Sequence, residues 1–127
     1  MKNKITTLTI LLMLNLTGCA SLTFDPVEYD RYITLKMTSD AAIPECGTDK
    51  IHDRVTQLSE LIAHQYVSTS NRSGRGPITI ATTEMANLIS KLQLRYKEGT
   101  PSIGYCQEKL KNISTGATTI LHTLGQM

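Results

Sequence analysis

The side chains able to do acid–base or metal chemistry are few and widely spaced. The three histidines are His52, His64 and His122, and no two of them stand at the His-x-x-x-His spacing that binds zinc on one helical face. Asp49 and Asp53 lie one helical turn apart, which is more typical of the positive start of a helix than of an acid–base couple. From the sequence we therefore expect no catalytic residue and no metal site, and we expect that the protein is not an enzyme.

A glycine-rich stretch with two arginines, residues 72–76, has some of the composition of a phosphate-binding loop. It lacks the Gly-Lys-Ser/Thr ending and the preceding strand that such a loop requires. The default interpretation is a mobile loop with two arginines. The functional alternative is a loop that contacts a protein partner through Arg72 and Arg75.

The N-terminal residues have the composition of a segment that directs export. Lys2 and Lys4 precede an uncharged and largely apolar run, residues 5–16, which is the order of regions in a secretory signal peptide. The run is about a dozen residues long, shorter than the ~20 apolar residues that a membrane-spanning helix needs.

The run ends in Leu16-Thr17-Gly18-Cys19. This segment resembles the lipobox of bacterial lipoproteins, in which an aliphatic residue, a small residue and Gly or Ala precede a Cys. The resemblance implies a diacylglyceryl group on the Cys19 thiol, cleavage before Cys19 and an N-acyl chain on the new amine, with no other cofactor. The following Ala20 and Ser21 lack the Asp that retains an enterobacterial lipoprotein in the inner membrane. The resemblance thus favours the outer membrane of a bacterial envelope, on its periplasmic face.

Removal of residues 1–18 changes the charge balance. The chain has 13 Lys and Arg against 11 Asp and Glu, and the excess is accounted for by Lys2 and Lys4. The mature chain is therefore formally neutral and has the length of one domain. Because no basic excess remains, we expect no nucleic-acid partner.

Two cysteines remain once Cys19 is assigned to the anchor. In an exported chain, Cys46 and Cys106 most simply form one disulfide. Chain-entropy arguments give about 4 kcal/mol for closing a loop of roughly 60 residues. This matters in a chain that has no Trp and one Phe to build its core.

Apolar residues recur at helical spacing in four segments. The first starts at Asp25-Pro26 and ends near Pro44, although residues 33–35 also fit a strand. The others start at Thr48, near Thr82 or Thr83, and at Thr100-Pro101. The predicted inward-facing residues are Tyr29, Ile33, Met37 and Ala41; Ile51, Val55, Leu58, Ile62 and Tyr66; Met85, Leu88, Ile89, Leu92 and Tyr96; and Ile103, Cys106, Leu110, Ile113, Ala117, Ile120 and Leu124.

These stripes predict an all-α fold, a small up-and-down bundle of three to four helices with one probable disulfide. The domains are a lipoprotein signal peptide at 1–18, a lipidated tether at 19–25 and a helical domain at 26–127. Residues 67–77 are rich in Ser, Gly and Pro, so we expect the longest loop there.

Protein–protein contact is the function that fits this arrangement best, in an accessory, assembly or phage- or plasmid-type exclusion role. The predicted partners are the membrane, through the lipid, and an envelope protein. Tyr32 and Tyr105 lie off the predicted stripes and are, with Arg72 and Arg75, the predicted contact residues.

The alternative is a small-ligand binding or enzymatic bundle with an interior pocket. Met37, Met85 and the tyrosines are the predicted lining of such a pocket. A void faced by His52 or His64 would favour this alternative.

Overall fold

Four helices and a short 3₁₀ turn make up the chain in the computed structural model, which describes residues 24–126. The elements are α1 (Pro26–Ala42), the 3₁₀ turn (Ile43–Glu45), α2 (Lys50–Ser70), α3 (Gly76–Glu98) and α4 (Ile103–Gly125). The predicted signal peptide and Cys19 lie outside the described residues, where nothing tests them. No strand occurs between residues 24 and 126, so the strand alternative for residues 33–35 is wrong.

The helices form an antiparallel ring. α1 packs against α2 and α4, and α3 packs against the same two helices. Short connections between consecutive helices give the up-and-down bundle that the sequence predicted. We call the end where α1 begins, with the α2–α3 connection, the base. The opposite end, with the 3₁₀ turn and the α3–α4 connection, is the distal end.

The start of α1 is as predicted, because the Asp25 carboxylate accepts hydrogen bonds from the backbone N–H groups of Val27 and Glu28. The start of α2 differs. The Thr48 hydroxyl donates to the Glu45 carbonyl oxygen at 2.7 Å instead of capping the helix, and Asp49 takes the cap position.

The starts of α3 and α4 also differ from prediction. α3 begins at Gly76 rather than near Thr82, because Pro77 in its first turn favours a helix start and does not extend the loop. The connection between α2 and α3 is therefore shorter than predicted. At α4, Ser102 and not Thr100 is the cap, and its hydroxyl accepts from the Tyr105 N–H at 3.1 Å.

The core confirms the stripes of α2, α3 and α4 in large part. The buried residues include Ile51, Val55, Leu58, Ile62, Met85, Ile89, Leu92, Cys106, Leu110, Ile113, Ala117, Ile120 and Leu124. Ile103 and Tyr66 are exposed exceptions. In the last turns of α2 the buried positions are Gln65 and Thr69, so Tyr66 lies off the buried face.

The predicted stripe of α1 is wrong in its second half, because Tyr29 and Ile33 are partly buried against the core but Met37 and Ala41 are exposed. Its inward face is Glu28, Tyr32, Leu35, Ser39 and Ala42, together with Thr38, whereas Met37 is 64% exposed. A repeat of four residues drifts around a helix that has 3.6 residues per turn, so the predicted set moves off the buried face. The residues that are buried alternate steps of four and three. Because several of them are polar, hydrophobic spacing does not reveal this face.

The distal end is closed by the predicted disulfide. Cys46, just after the 3₁₀ turn, is bonded to Cys106 in the first turns of α4. Gly47 follows with φ +86°, and a Cβ built there would lie 2.8 Å from Cδ1 of Ile103. Both facts favour glycine at this corner, because other residues avoid that φ and have no room for a Cβ.

Candidate functional site

The predicted contact residues are divided between the two ends of the bundle. Arg72 and Arg75 belong to the α2–α3 connection at the base, and Tyr32 is on α1, two turns from the base. Tyr105 lies on the first turn of α4, at the distal end. The structure therefore does not bring these four residues into one site.

Arg75 is part of a buried ion pair. Its Nε donates to Oε1 of Glu28 on α1 at 3.0 Å, and both side chains are nearly inaccessible, at 1% and 2% exposure. Arg72 lies outside this pair, with Nη1 3.7 Å from the second Glu28 oxygen. The prediction that Arg75 is open to a partner is wrong, because the Glu28 carboxylate draws its guanidinium into the bundle.

Arg72 is the accessible arginine of the base. It forms an ion pair with Asp25 and remains about one-third exposed. Its hydrogen bond, followed by that of the Val27 N–H, lowers the pKa of the Asp25 carboxyl. The ion pair joins the α2–α3 connection to the first residue of α1.

Tyr32 is fully buried, so the prediction of an exposed anchor is wrong. Its hydroxyl lies 2.7 Å from Oγ1 of Thr82 and 3.0 Å from Oγ1 of Thr69. Thr82 uses its own proton on the Ile78 carbonyl oxygen at 2.7 Å. Tyr32 must therefore donate to Thr82. The Thr69 proton then has two acceptors within reach, the Tyr32 hydroxyl oxygen and Oε2 of Glu28 at 3.4 Å.

Gln65 extends this series of hydrogen bonds, because its side-chain amide N–H donates to Oγ1 of Thr69 at 3.1 Å. The hydrogen bonds thus run from α2 through α1 to α3. Together with Glu28 and Arg75 they form what we call the basal network, namely Glu28, Tyr32, Gln65, Thr69, Arg75 and Thr82. All six residues are buried, so the network orders the interior and presents no surface to a partner.

Tyr105 is the predicted contact residue that stays accessible, with a half-buried ring. Two cations lie over the ring, Arg95 with Cζ 5.6 Å from its centroid and Lys109 with Nζ at 5.3 Å. Such cation–π contacts hold both charges close to the ring. Among the described residues neither cation has a carboxylate at ion-pair distance. We call Arg95, Tyr105 and Lys109 the distal patch.

The surroundings of the distal patch are basic. A cleft of about 200 Å³ adjoins it, lined by Arg95, Glu98, Gly99, Thr100 and Pro101. The second half of α3 and the first half of α4 carry five cations, Lys91, Arg95, Lys97, Lys109 and Lys111, against the acids Glu98 and Glu108. Sequence analysis identified Tyr105 but missed Arg95 and Lys109. The spacing of Tyr105 and Lys109, one turn apart on a helix, is the signal that was available.

One contact within residues 24–126 resembles a nucleophile beside a base, and it is formed by Lys36, Asp40 and Ser114. The Lys36 ammonium lies 2.6 Å from Oδ2 of Asp40 and 3.5 Å from the Ser114 hydroxyl, which donates to the other Asp40 oxygen at 2.5 Å. Asp40, and not Lys36, accepts the hydrogen bond of the serine hydroxyl. The three residues instead join α1 to α4.

The histidines occupy separate clefts. His52 packs edge-on against Tyr96, with ring centroids 5.2 Å apart, and lines a cleft of about 160 Å³. His64 lines another cleft of about 180 Å³ between α1 and α2. The prediction that Met37 and Met85 line a pocket is wrong, because Met37 is on the outer surface and Met85 is packed in the core. Of the predicted tyrosines, Tyr96 lines the cleft of His52, and Tyr29 lines a further cleft.

The chain matches no protein-family model, no curated protein and no solved structure. Across residues 24–126, no group of three or more His, Cys, Asp or Glu side chains is placed to hold a metal ion. No helix in the described part of the chain is both long and apolar enough to cross a membrane.

Proposed function

We propose that this chain is a lipoprotein of the bacterial envelope that acts by protein–protein contact. Acyl chains on Cys19 hold it to the membrane, most favourably the outer membrane on its periplasmic face. The distal patch binds an envelope protein in an accessory, assembly or exclusion role. The partner presents carboxylates to Arg95 and Lys109.

The observation that carries the proposal is the position of the lipobox-like segment relative to the fold. Only residues 20–24 separate Cys19 from Asp25, the N-cap of the first helix. The anchor therefore directly precedes the folded domain, and lipid can be attached without disturbing it. The Cys46–Cys106 disulfide agrees with an exported chain, since disulfides persist mainly in oxidising compartments.

The contact surface is proposed from the chemistry of the distal patch. Tyrosine and arginine are enriched among the residues that dominate binding energy at protein interfaces. Here both residue types are adjacent, accessible and without an acidic partner in the described residues. A membrane anchor also raises the local concentration of the protein, so a small contact area suffices.

Anchoring is tested by growing cells with an alkyne analogue of palmitate and comparing the wild type with Cys19→Ala. We expect label on the wild type and on a Ser21→Ala control, and none on Cys19→Ala. Cys19→Ala should also leave the membrane fraction. Label that persists after loss of Cys19, or an unlabelled wild type, would contradict the anchor.

Contact is tested with a photo-reactive benzoylphenylalanine placed at Tyr105. Tyr66 on α2 is the matched control position, because its ring is also accessible. We expect one crosslinked species from the Tyr105 position in envelopes, lost in Arg95→Glu/Lys109→Glu and kept in Lys111→Glu. Equal crosslinking from both positions, or survival in the double variant, would argue against the distal patch.

A further inference from the structure

Exposed apolar side chains stand at the base, next to the point where the chain enters the bundle. Phe24, the only Phe of the chain, is 39% exposed, and Val27 in the first turn of α1 is 58% exposed. Phe24 is held in place by the Tyr29 ring, with centroids 5.3 Å apart. These side chains therefore lie at the end of the bundle where the described chain begins, five residues after Cys19 in sequence.

The acidic groups nearest this entry point are neutralised by arginines. Asp25 pairs with Arg72, and Glu28 pairs with Arg75. The two acidic residues at the start of α1 are therefore paired, which reduces the repulsion of anionic lipid headgroups there. The next carboxylate along the helix is the exposed Asp30. At the distal end, by contrast, the cations of the distal patch have no carboxylate at ion-pair distance among the described residues.

The length of chain between Cys19 and the bundle limits how far the base can lie from a membrane. Five residues separate Cys19 from Asp25. Even fully extended, this stretch spans at most about 20 Å. The α4 helix has 23 residues, so the distal end lies roughly 35 Å from the base.

We infer that the base rests on the bilayer interface, with Phe24 and Val27 among the lipid headgroups, and that the bundle stands upright with the distal patch facing away. This inference rests on the proposed lipid anchor. Aromatic and aliphatic side chains such as Phe and Leu are the ones that a peripheral segment inserts at the boundary between headgroups and acyl chains. The occupant of this surface is the bilayer itself, and the distal patch is left free for a protein.

The absence of Trp from the chain allows a direct test. A single reporter is introduced either at the base, as Phe24→Trp, or near the distal end of α3, as Leu94→Trp, a position that is 55% exposed. The acylated proteins are placed in phosphatidylethanolamine–phosphatidylglycerol vesicles with brominated acyl chains, which quench nearby Trp. We expect the Phe24→Trp emission to be blue-shifted and quenched several-fold more than that of Leu94→Trp.

A second pair of variants tests whether the apolar side chains contribute. In the Phe24→Trp background, Val27→Ser should reduce the quenching. The control Met37→Ser should not, because Met37 is equally exposed but lies near the distal end of α1. Equal quenching of the two reporters, or no effect of Val27→Ser, would overturn the inference while leaving the anchor intact. Intact mass of the same samples reports acylation, and its absence would overturn the anchor and the inference together.

Discussion

The two ends of the bundle are closed by different kinds of bond. At the distal end a covalent link joins Cys46 to Cys106 and ties the α1–α2 corner to α4. At the base the basal network joins α1, α2 and α3 through one ion pair and a chain of hydroxyl groups. The stability of each end therefore responds to different conditions. The stability of the distal end depends on redox conditions, whereas that of the base depends on the pairing of buried polar groups.

The largest effect is expected at the distal end. Replacing both cysteines, as Cys46→Ser/Cys106→Ser, should lower the free energy of unfolding by about 4 kcal/mol, because the unfolded chain regains the entropy of an open loop. Urea titration of the helical signal measures this loss. A reductant should destabilise the wild type similarly and leave the double variant unchanged. An unaltered urea midpoint in reduced wild type would show that the base alone maintains the fold.

The next effect is expected from the ion pair of the base. Glu28→Gln keeps the side-chain shape but removes the carboxylate charge that pairs with the buried Arg75 guanidinium. Breaking one partner of a buried pair is strongly destabilising, so we expect a loss of about 3 kcal/mol. The same urea titration in the presence of reductant would show whether the losses at the two ends add.

The matched control is Glu60→Gln on the exposed face of α2. A surface change of this kind should stay within about 0.5 kcal/mol. If Glu28→Gln behaved like this control, the pair would not hold the base together.

Particular residues show why the sequence predicted one part of the molecule better than another. The stripes of α2 and α4 were predicted because their inward positions are mainly apolar, so hydrophobic spacing reports them directly. On α1, Glu28 and Ser39 occupy inward positions. Their burial depends on partners elsewhere, and the partner of Glu28 is 47 residues away in the chain. No local pattern contains that information.

The candidate contact residues also differ in whether their burial depends on neighbours in their own helix or on partners in other helices. Tyr105 is partly accessible, because its exposure depends on its own helix and its neighbours one turn away, and its contact role stays a prediction. Tyr32 was misplaced because Thr69 and Thr82, which lie on two other helices, satisfy its hydroxyl group. Spacing along one helix cannot show that a polar ring will be drawn inward.

A smaller effect is expected from the hydroxyl chain of the base. Tyr32→Phe removes the oxygen that links Thr69 to Thr82 and leaves buried hydroxyl groups with one partner fewer. We expect a loss of about 2 kcal/mol in the free energy of unfolding, within the range for an unsatisfied buried group. Tyr66→Phe on the exposed face of α2 is the control and should change little. Equal stability of the two variants would mean that the ring of Tyr32, and not its hydroxyl, holds the base.

The smallest effect is expected from the Asp40 contact between α1 and α4. Burial opposes ionisation of Asp40, but hydrogen bonds from Lys36 and Ser114 outweigh it and lower the pKa of this carboxyl below 3.8. A carboxyl with a lowered pKa in the folded state stabilises the fold above its unfolded pKa. The stabilisation is lost as the pH falls through the folded pKa. Asp25 has the same sign, because its pKa is also lowered.

Asp40→Asn should therefore cost less than about 1 kcal/mol at neutral pH, because Lys36 and Asp40 are both about one-third or more exposed to water. The difference from the wild type should vanish as the pH falls below 3.8, where the wild-type carboxyl becomes protonated. Urea midpoints measured from pH 7 down to pH 2 test this, with Asp30→Asn on the exposed side of α1 as control. A difference that stays constant to pH 2 would assign the effect to packing, and the acid sensitivity of the bundle would then have to come from the carboxylates of the base.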